Sequence, residues 1–171
     1  MTTSPLTDQP SDRQVDRDSN SPLDRTWPQF AELPHFADTV TLLRCVRDHD
    51  FDTLAALCDD DFGIIDVDPS GQPRAIRTRA DWEAWFHGLF ATLDTMHART
   101  DSDIVDYHAS TSGDLAYSVL EFRQYLSVGD ATATFDCIAT IVWKRTPDGW
   151  REARWHASVI DSDVPESLRT P

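Results

Sequence analysis

The sequence predicts an α+β domain, segregated helices packed against one strongly curved sheet. Three observations carry that expectation. Trp82, Trp85, Phe86, Leu89, Phe90 and Leu93 recur at i, i+3, i+4, i+7, i+8 and i+11, the strongest helical stripe in the chain. From Ala133 to Trp143 the residues Ala133, Phe135, Cys137, Ala139, Ile141 and Trp143 share one face. Thr132, Thr134, Asp136, Thr140 and Lys144 share the other, which is the period of a strand buried on one side. Lastly, Thr146-Pro147-Asp148-Gly149 joins this strand to a second long one over 150–160. Pro147 pre-sets φ, Asp148 can bond its own backbone and Gly149 can take positive φ.

In chain order, residues 1–33 are rich in Ser, Thr, Asp, Pro and Arg, with Trp27 and Phe30 the only aromatics. Such a segment buries too little apolar surface to offset its ordering entropy and reads as a mobile tail, with Trp27 and Phe30 as the residues to dock. Phe36, Val40, Leu43 and Val46 then mark a first helix, and Phe51, Leu54, Ala55, Leu57 and Cys58 a short second one. The acidic run Asp59-Asp60-Asp61 opposes a helix C-terminus, so the helix stops before it and a strand over 62–67 follows. Asp68-Pro69-Ser70-Gly71-Gln72-Pro73 reads as a loop, and Thr78 with Asp81 as a capping box opening the aromatic helix. Strands follow over 96–107, broken by Asp101-Ser102-Asp103, and over 115–128, with Gly129-Asp130 as a hairpin signal. The domain is expected over 34–163, with 164–171 flexible.

The bulk composition excludes several classes of partner. A formal charge of −15 and a pI near 4.5 leave no basic field for nucleic acid or an anionic membrane surface. No run of about 18 apolar residues suggests a membrane span, and no leader pattern is present, so a cytoplasmic location is the default. Cys45, Cys58 and Cys137 are odd in number, lack metal-ligand spacing and sit in apolar patterns, as reduced buried thiols do. His97 and His108 have no second ligand at metal spacing, and no phosphate loop, nucleophile elbow or dinucleotide fingerprint occurs, so neither metal nor cofactor is expected.

The stretches RDHDFDTLAALCDDDFGIID (47–66) and TIVWKRTPDGWREARWHAS (140–158) resemble the nuclear transport factor 2-like superfamily, within it the SnoaL-like and ketosteroid-isomerase-like branches. The first is similar to that family's passage from a short helix into the first strand, the second to its final hairpin. The resemblance implies a cone, a mixed sheet curled round a pocket and closed by three helices. It also implies a homodimer through the outer sheet face, here carrying Thr132, Thr134, Asp136, Thr140 and Trp155.

By that resemblance Asp66 falls where the isomerase branch has its general base. The branch's two enolate donors fall on Leu42 and Ile141, which donate nothing, and losing even one such donor costs on the order of 100-fold in rate. In their place the alternation of the last strand puts Arg154, His156 and Ser158 on one face, so that His156 would act as acid or base and Arg154 would bind an anionic or enolic oxygen. Plainer readings stand beside these. Asp66 is then a solvated strand-end acid, His156 a core histidine and Arg154 a salt-bridge partner of Glu152 or Glu121. Trp82, Trp85, Phe86 and Tyr117 are either core or the walls of a cavity, and Leu120 and Phe122 compete with Tyr117 and Glu121 for the inner face. The expectation is a protein that binds a small apolar molecule, with cofactor-free isomerase, cyclase or dehydratase chemistry. The alternative is a non-enzymatic homodimeric ligand carrier or assembly module.

Overall fold

The computed structural model describes residues 21–67 and 73–169, with the backbone alone for 64–67, 73 and 74. Three helices, α1 (Phe36–Asp48), α2 (Phe51–Leu57) and α3 (Arg79–Thr95), accompany six strands. These are β1 (Cys58–Val67), β2 (Pro73–Ile76), β3 (Ala98–Ser112), β4 (Leu115–Val128), β5 (Ala131–Thr146) and β6 (Gly149–Asp163). They form one open, curved sheet in the order β2-β1-β6-β5-β4-β3. All neighbours run antiparallel except β1 and β6, whose parallel pairing makes the sheet mixed. The helices cover one face of it, as the α+β expectation requires.

Local chemistry explains most boundaries. Thr78 caps α3, its hydroxyl accepting from the Asp81 amide at 3.1 Å. α2 ends at Leu57, ahead of the acidic run, but Asp59, Asp60 and Asp61 belong to β1 and not to a linker. Two cations make this tolerable: Lys144 reaches Asp59 at 3.2 Å and Arg154 reaches Asp61 at 3.2 Å. Arg79 helps from α3, donating to the carbonyls of Ala55, Cys58 and Asp59. At Gly63 a Cβ would come within 3.2 Å of the Ile76 carbonyl, a close approach that explains a glycine inside a strand.

The sequence reading is corrected at three places. Pro73, expected in a loop, opens the short edge strand β2, whose first position needs no donor; the rest of that loop lies outside the described residues. β3 runs unbroken through Asp101-Ser102-Asp103, because Ser102 turns inward and its hydroxyl donates to Gln124 of β4 at 3.0 Å. Residues 21–33, expected to be a mobile tail, join the core. Leu23 is 0% exposed and Trp27 9%. Trp27 and Phe30 dock on Phe36, with ring centroids 6.0 and 5.6 Å away.

The interior divides in two along the concave face. One half gathers α2, α3, β1 and the turn-end of β5 and β6 around Trp82, which is 1% exposed and flanked by Phe62 at 5.3 Å and Phe86 at 5.1 Å. The other half lies between α1 and the middle of β3, β4 and β5 and includes Leu23 and Trp27. Trp82 is the largest side chain that α3 buries. Trp82→Ala is expected to destabilise the domain by about 3–5 kcal/mol, seen as a lower urea midpoint with an unchanged slope.

Candidate functional site

The last hairpin sets which side chains face inward. Its register slips between Val142 and Trp143, so that Trp143 pairs with Glu152 while Val142 pairs with Arg154. Ala153 is the extra residue, a β-bulge that inverts the alternation beyond it. Glu152 is therefore inward, and so are Trp155 and Ala157, which pair with the inward Ile141 and Ala139. Arg154, His156 and Ser158, expected to project into a pocket, stand exposed on the outer face beside Val142, Thr140 and Ile138. Trp155, expected on the outer face, is inside. Arg154 bonds the carbonyl and carboxylate of Asp61, so its partner is neither Glu152 nor Glu121.

The other sequence-selected residues separate in the same way. Tyr117 pairs with Val142 on the outer face and is 51% exposed, leaving the inner face of β4 to Leu120 and Phe122. Ile141 and Trp82 are buried in the core. Trp85 and Phe86 are half-buried on α3, and Trp85 lines an open groove of about 320 Å³ with Ala75, Ile76, Asp81 and Ala84. Asp66 lies in β1 opposite Arg74, one residue after Ile65, which pairs with His156. One further step along these parallel strands brings Asp66 level with Ala157. The Asp66 side chain lies outside the described residues.

A row of paired inward positions crosses the sheet from β3 towards that end of β1: Tyr107, Leu120, Ala139 and Ala157. Leu120 and Ala139 form its middle, Ala157 one end and a phenol the other. Tyr107 is buried, and its hydroxyl donates to the Pro34 carbonyl at 2.7 Å and lies 3.4 Å from Thr39 Oγ1. Ser118 bonds the same phenol and accepts from Trp143 Nε1 at 3.0 Å. Burial raises the Tyr107 pKa above its ordinary value, against the pull of the Thr39 and Ser118 hydrogen bonds, so the phenol is a neutral donor. Sequence reasoning passes over Tyr107, although it sits opposite Leu120 in the hairpin and shares its face.

Beside this row, His35 enters α1 with φ of 59°, a left-handed conformation that histidine tolerates better than most residues. Its ring stacks on Trp143 at 4.8 Å and meets Trp150 edge-on at 4.8 Å, while Nδ1 lies 3.3 Å from Asp38. On the neighbouring strand, Glu152 pairs with that same Trp143 and is 3% exposed. The Cys58 thiol donates to its carboxyl at 3.4 Å. Burial pushes the Glu152 pKa up to about 8, with the thiol hydrogen bond opposing it, so the acid is protonated at neutral pH. The same burial, reinforced by Glu152, raises the Cys58 thiol well above its usual range. Glu152 and Asp66 stand at opposite ends of β1 and do not share a site. Among the described residues no group of three or more His, Cys, Asp or Glu is placed to hold a metal ion.

With this geometry in view, residues 40–162 match the family model of the SnoaL-like domain. No curated protein matches the chain. Among solved structures, the chain is similar to a proposed dehydratase of the NTF2-like family from Streptomyces avermitilis, at 21% identity over 73% of this chain and 92% of the other, TM-score 0.60. It is similar to a proposed scytalone dehydratase from Novosphingobium aromaticivorans, at 10% identity over 77% and 85%, TM-score 0.63. A third is a proposed calcium/calmodulin-dependent protein kinase type II association domain from Thiobacillus denitrificans, at 24% identity over 75% and 95%, TM-score 0.55. At these identities the likeness is one of fold.

The neutral Glu152 makes stability depend on pH. Its pKa in the folded protein lies above the ordinary 4.5, so the folded state binds the proton more tightly than the unfolded chain. The contribution is full below about pH 4.5 and is lost as pH rises through about 8. Glu152→Gln is expected to remove this slope. Relative to the wild type it should gain about 1.4 kcal/mol for each pH unit crossed between those two values. Urea unfolding of both proteins at pH 5 and pH 8 measures the difference.

Proposed function

The chain belongs to the SnoaL-like domain family, and from that membership we propose that it binds a small, largely apolar molecule against the concave face of its sheet and works on it by cofactor-free acid–base chemistry. The observation that carries this reading is the inward row from Tyr107 through Leu120 and Ala139 to the half-buried Ala157. Leu120 and two alanines along it, aromatic Phe122 and Trp155 beside it at 6.4 Å from each other, and the buried Tyr107 hydroxyl make an apolar surface with a polar handle. Ligand sites are built in this way. Asp66, level with Ala157 at the other end of the row, is the proposed base.

In this scheme the Asp66 carboxylate takes a proton from a carbon next to a carbonyl or a leaving group. The Tyr107 phenol, four strands away across the sheet, donates a hydrogen bond to an oxygen at the far end of the same molecule and so fixes its position over the base. Return of the proton to a different carbon gives isomerisation; departure of hydroxide as water gives dehydration. Tyr107 thereby takes the supporting role that the sequence reading assigns to His156, whose ring is on the outer face. The dehydratase descriptions of two fold relatives agree with this chemistry without assigning a substrate.

A second reading, a non-catalytic homodimeric module, is favoured by a separate observation. The interior around Trp82 and Trp143 is filled by protein side chains, while Tyr117 is exposed on the outer sheet face and Ile160 is exposed at the slip near the end of β6. A second copy would cover such groups.

A thermal-shift screen of polyketide-like and terpenoid carbonyl compounds would find ligands, and deuterium uptake from D2O at the carbon next to the carbonyl would report catalysis. Asp66→Asn is expected to lower the rate of uptake by about 100-fold or more, and Tyr107→Phe by roughly 10- to 100-fold, each with an unchanged circular dichroism spectrum. Uptake that survives Asp66→Asn refutes the base assignment. Tight binding with no uptake in the wild type selects the carrier reading.

A further inference from the structure

Residues 21–34 cross the concave face without joining the sheet. They form a short turn of 3-10 helix, Pro22–Asp24, and then successive tight turns, Phe30 N–H to the Trp27 carbonyl, Leu33 N–H to Phe30 and Phe36 N–H to Leu33. The wall beneath consists only of regular elements, with Val40 and Leu43 from α1, Ile104 and Tyr107 from β3, and Leu120 and Phe122 from β4. The segment covers this wall with two apolar anchors, Leu23 and Trp27.

It also supplies the wall with two oxygens. The Pro34 carbonyl accepts from Tyr107 at 2.7 Å, and the Leu23 carbonyl accepts from Arg44 Nη2 at 2.8 Å. Arg44 is the more telling of the two. In a chain of formal charge −15, it has no carboxylate partner among the described residues, and its Nε is buried with no acceptor. A guanidinium so placed is under-satisfied by one neutral carbonyl. Thr39, which touches the Tyr107 hydroxyl, and Arg44 are five residues apart on α1, or about 7.5 Å along its axis. Beyond these buried anchors and carbonyl bonds, each of a kind that a guest can supply in the segment's place, the segment is tied at the surface by ion pairs, Arg25 to Asp103 at 3.1 Å and Arg47 to Asp24 at 3.1 Å. Exposed pairs of this kind hold weakly.

We propose that residues 21–34 are a displaceable plug that occupies the concave ligand site in the manner of the ligand itself. The true occupant is then a flat, ring-bearing organic acid with a second oxygen at its far end. Its carboxylate replaces the Leu23 carbonyl on Arg44, its other oxygen replaces the Pro34 carbonyl on Tyr107, and its rings replace Leu23 and Trp27. This rests on the concave-site reading and adds to it the gate and the chemical class of the ligand.

The probe is 6-hydroxy-2-naphthoate, with naphthalene as the comparator that lacks both oxygens, titrated by fluorescence into the full chain. Amide hydrogen exchange follows residues 21–34. Binding of the naphthoate is expected to speed exchange in that segment and in no element of the sheet. Trp27→Ala should bind it about ten-fold more tightly than the wild type, because less of the protein is plugged. Should Trp27→Ala fail to fold, Arg25→Gln, which removes only a surface tie, should bind a few-fold more tightly. Arg44→Met should weaken the naphthoate ten-fold or more and leave naphthalene unchanged. Naphthoate binding with unchanged exchange in 21–34 overturns the plug while leaving the concave site standing. Failure of the wild type and both loosened variants to bind the naphthoate overturns the inferred ligand class, whereas a failed concave-site reading would show instead as Asp66→Asn and Tyr107→Phe indifferent to ligands found by the broader screen.

Discussion

One extra residue in β6 governs the inside and outside of this domain. Ala153 bulges opposite the step from Val142 to Trp143, and the side chains from Arg154 to Val159 change face, until a second slip at Ile160. Without the bulge Arg154 and His156 would be driven into the apolar interior and Trp155 into water, each against its own solvation. With it, Glu152 and Trp155 both face inward. β1 answers with its own irregularity, since Cys58 pairs with Glu152 but the next pair is Gly63 with Arg154. The acidic residues 59–61 occupy that slack, and Lys144 and Arg154 neutralise them. A bulge, an acidic run and two cations are thus one device, and it gives the parallel edge of the sheet its shape.

The concave face that results is uneven in character. Around Trp82 it is aromatic and closed, and the acid it contains, Glu152, is kept uncharged by its surroundings. Around Tyr107 it combines aromatic and aliphatic side chains with hydroxyls, under a cover that is not part of the sheet. If a guest enters, it is at the second half, because no part of a small domain can be both its most rigid packing and the part that opens.

Much of this is legible in the sequence, and the failures are of one kind. The aromatic stripe of α3, the alternation of β5, the hairpin at Thr146-Pro147-Asp148-Gly149 and the capping by Thr78 are local patterns, and each has its local cause. The phase of Arg154, His156 and Ser158 is hidden because a one-residue insertion leaves no mark in composition; only the pairing across to Trp143 reveals it. Ser102 looks like a break because its partner, Gln124, is 22 residues away. Leu23 and Trp27 are lost in a polar segment, since two anchors among charged and small residues do not raise its average hydropathy. The buried groups that matter most, Tyr107 and Glu152, are invisible as such because burial is a property of the whole sheet and not of the residues around them.

The plug also bears on the order of events during synthesis. Residues 21–34 leave the ribosome before every strand they will meet. Arg25 waits for Asp103, 78 residues further on, and Leu23 and Trp27 share a cluster with residues as late as Ala139. Contacts of such separation form only after the intervening chain has been ordered. The parallel edge is later still, because β1 finds its second neighbour only in β6, the last strand. The first described segment to emerge is therefore among the last to settle, and until it does two large apolar side chains travel in acidic, polar company that keeps them from sticking elsewhere. The acidic charge of the chain thus doubles as an escort for its own seal.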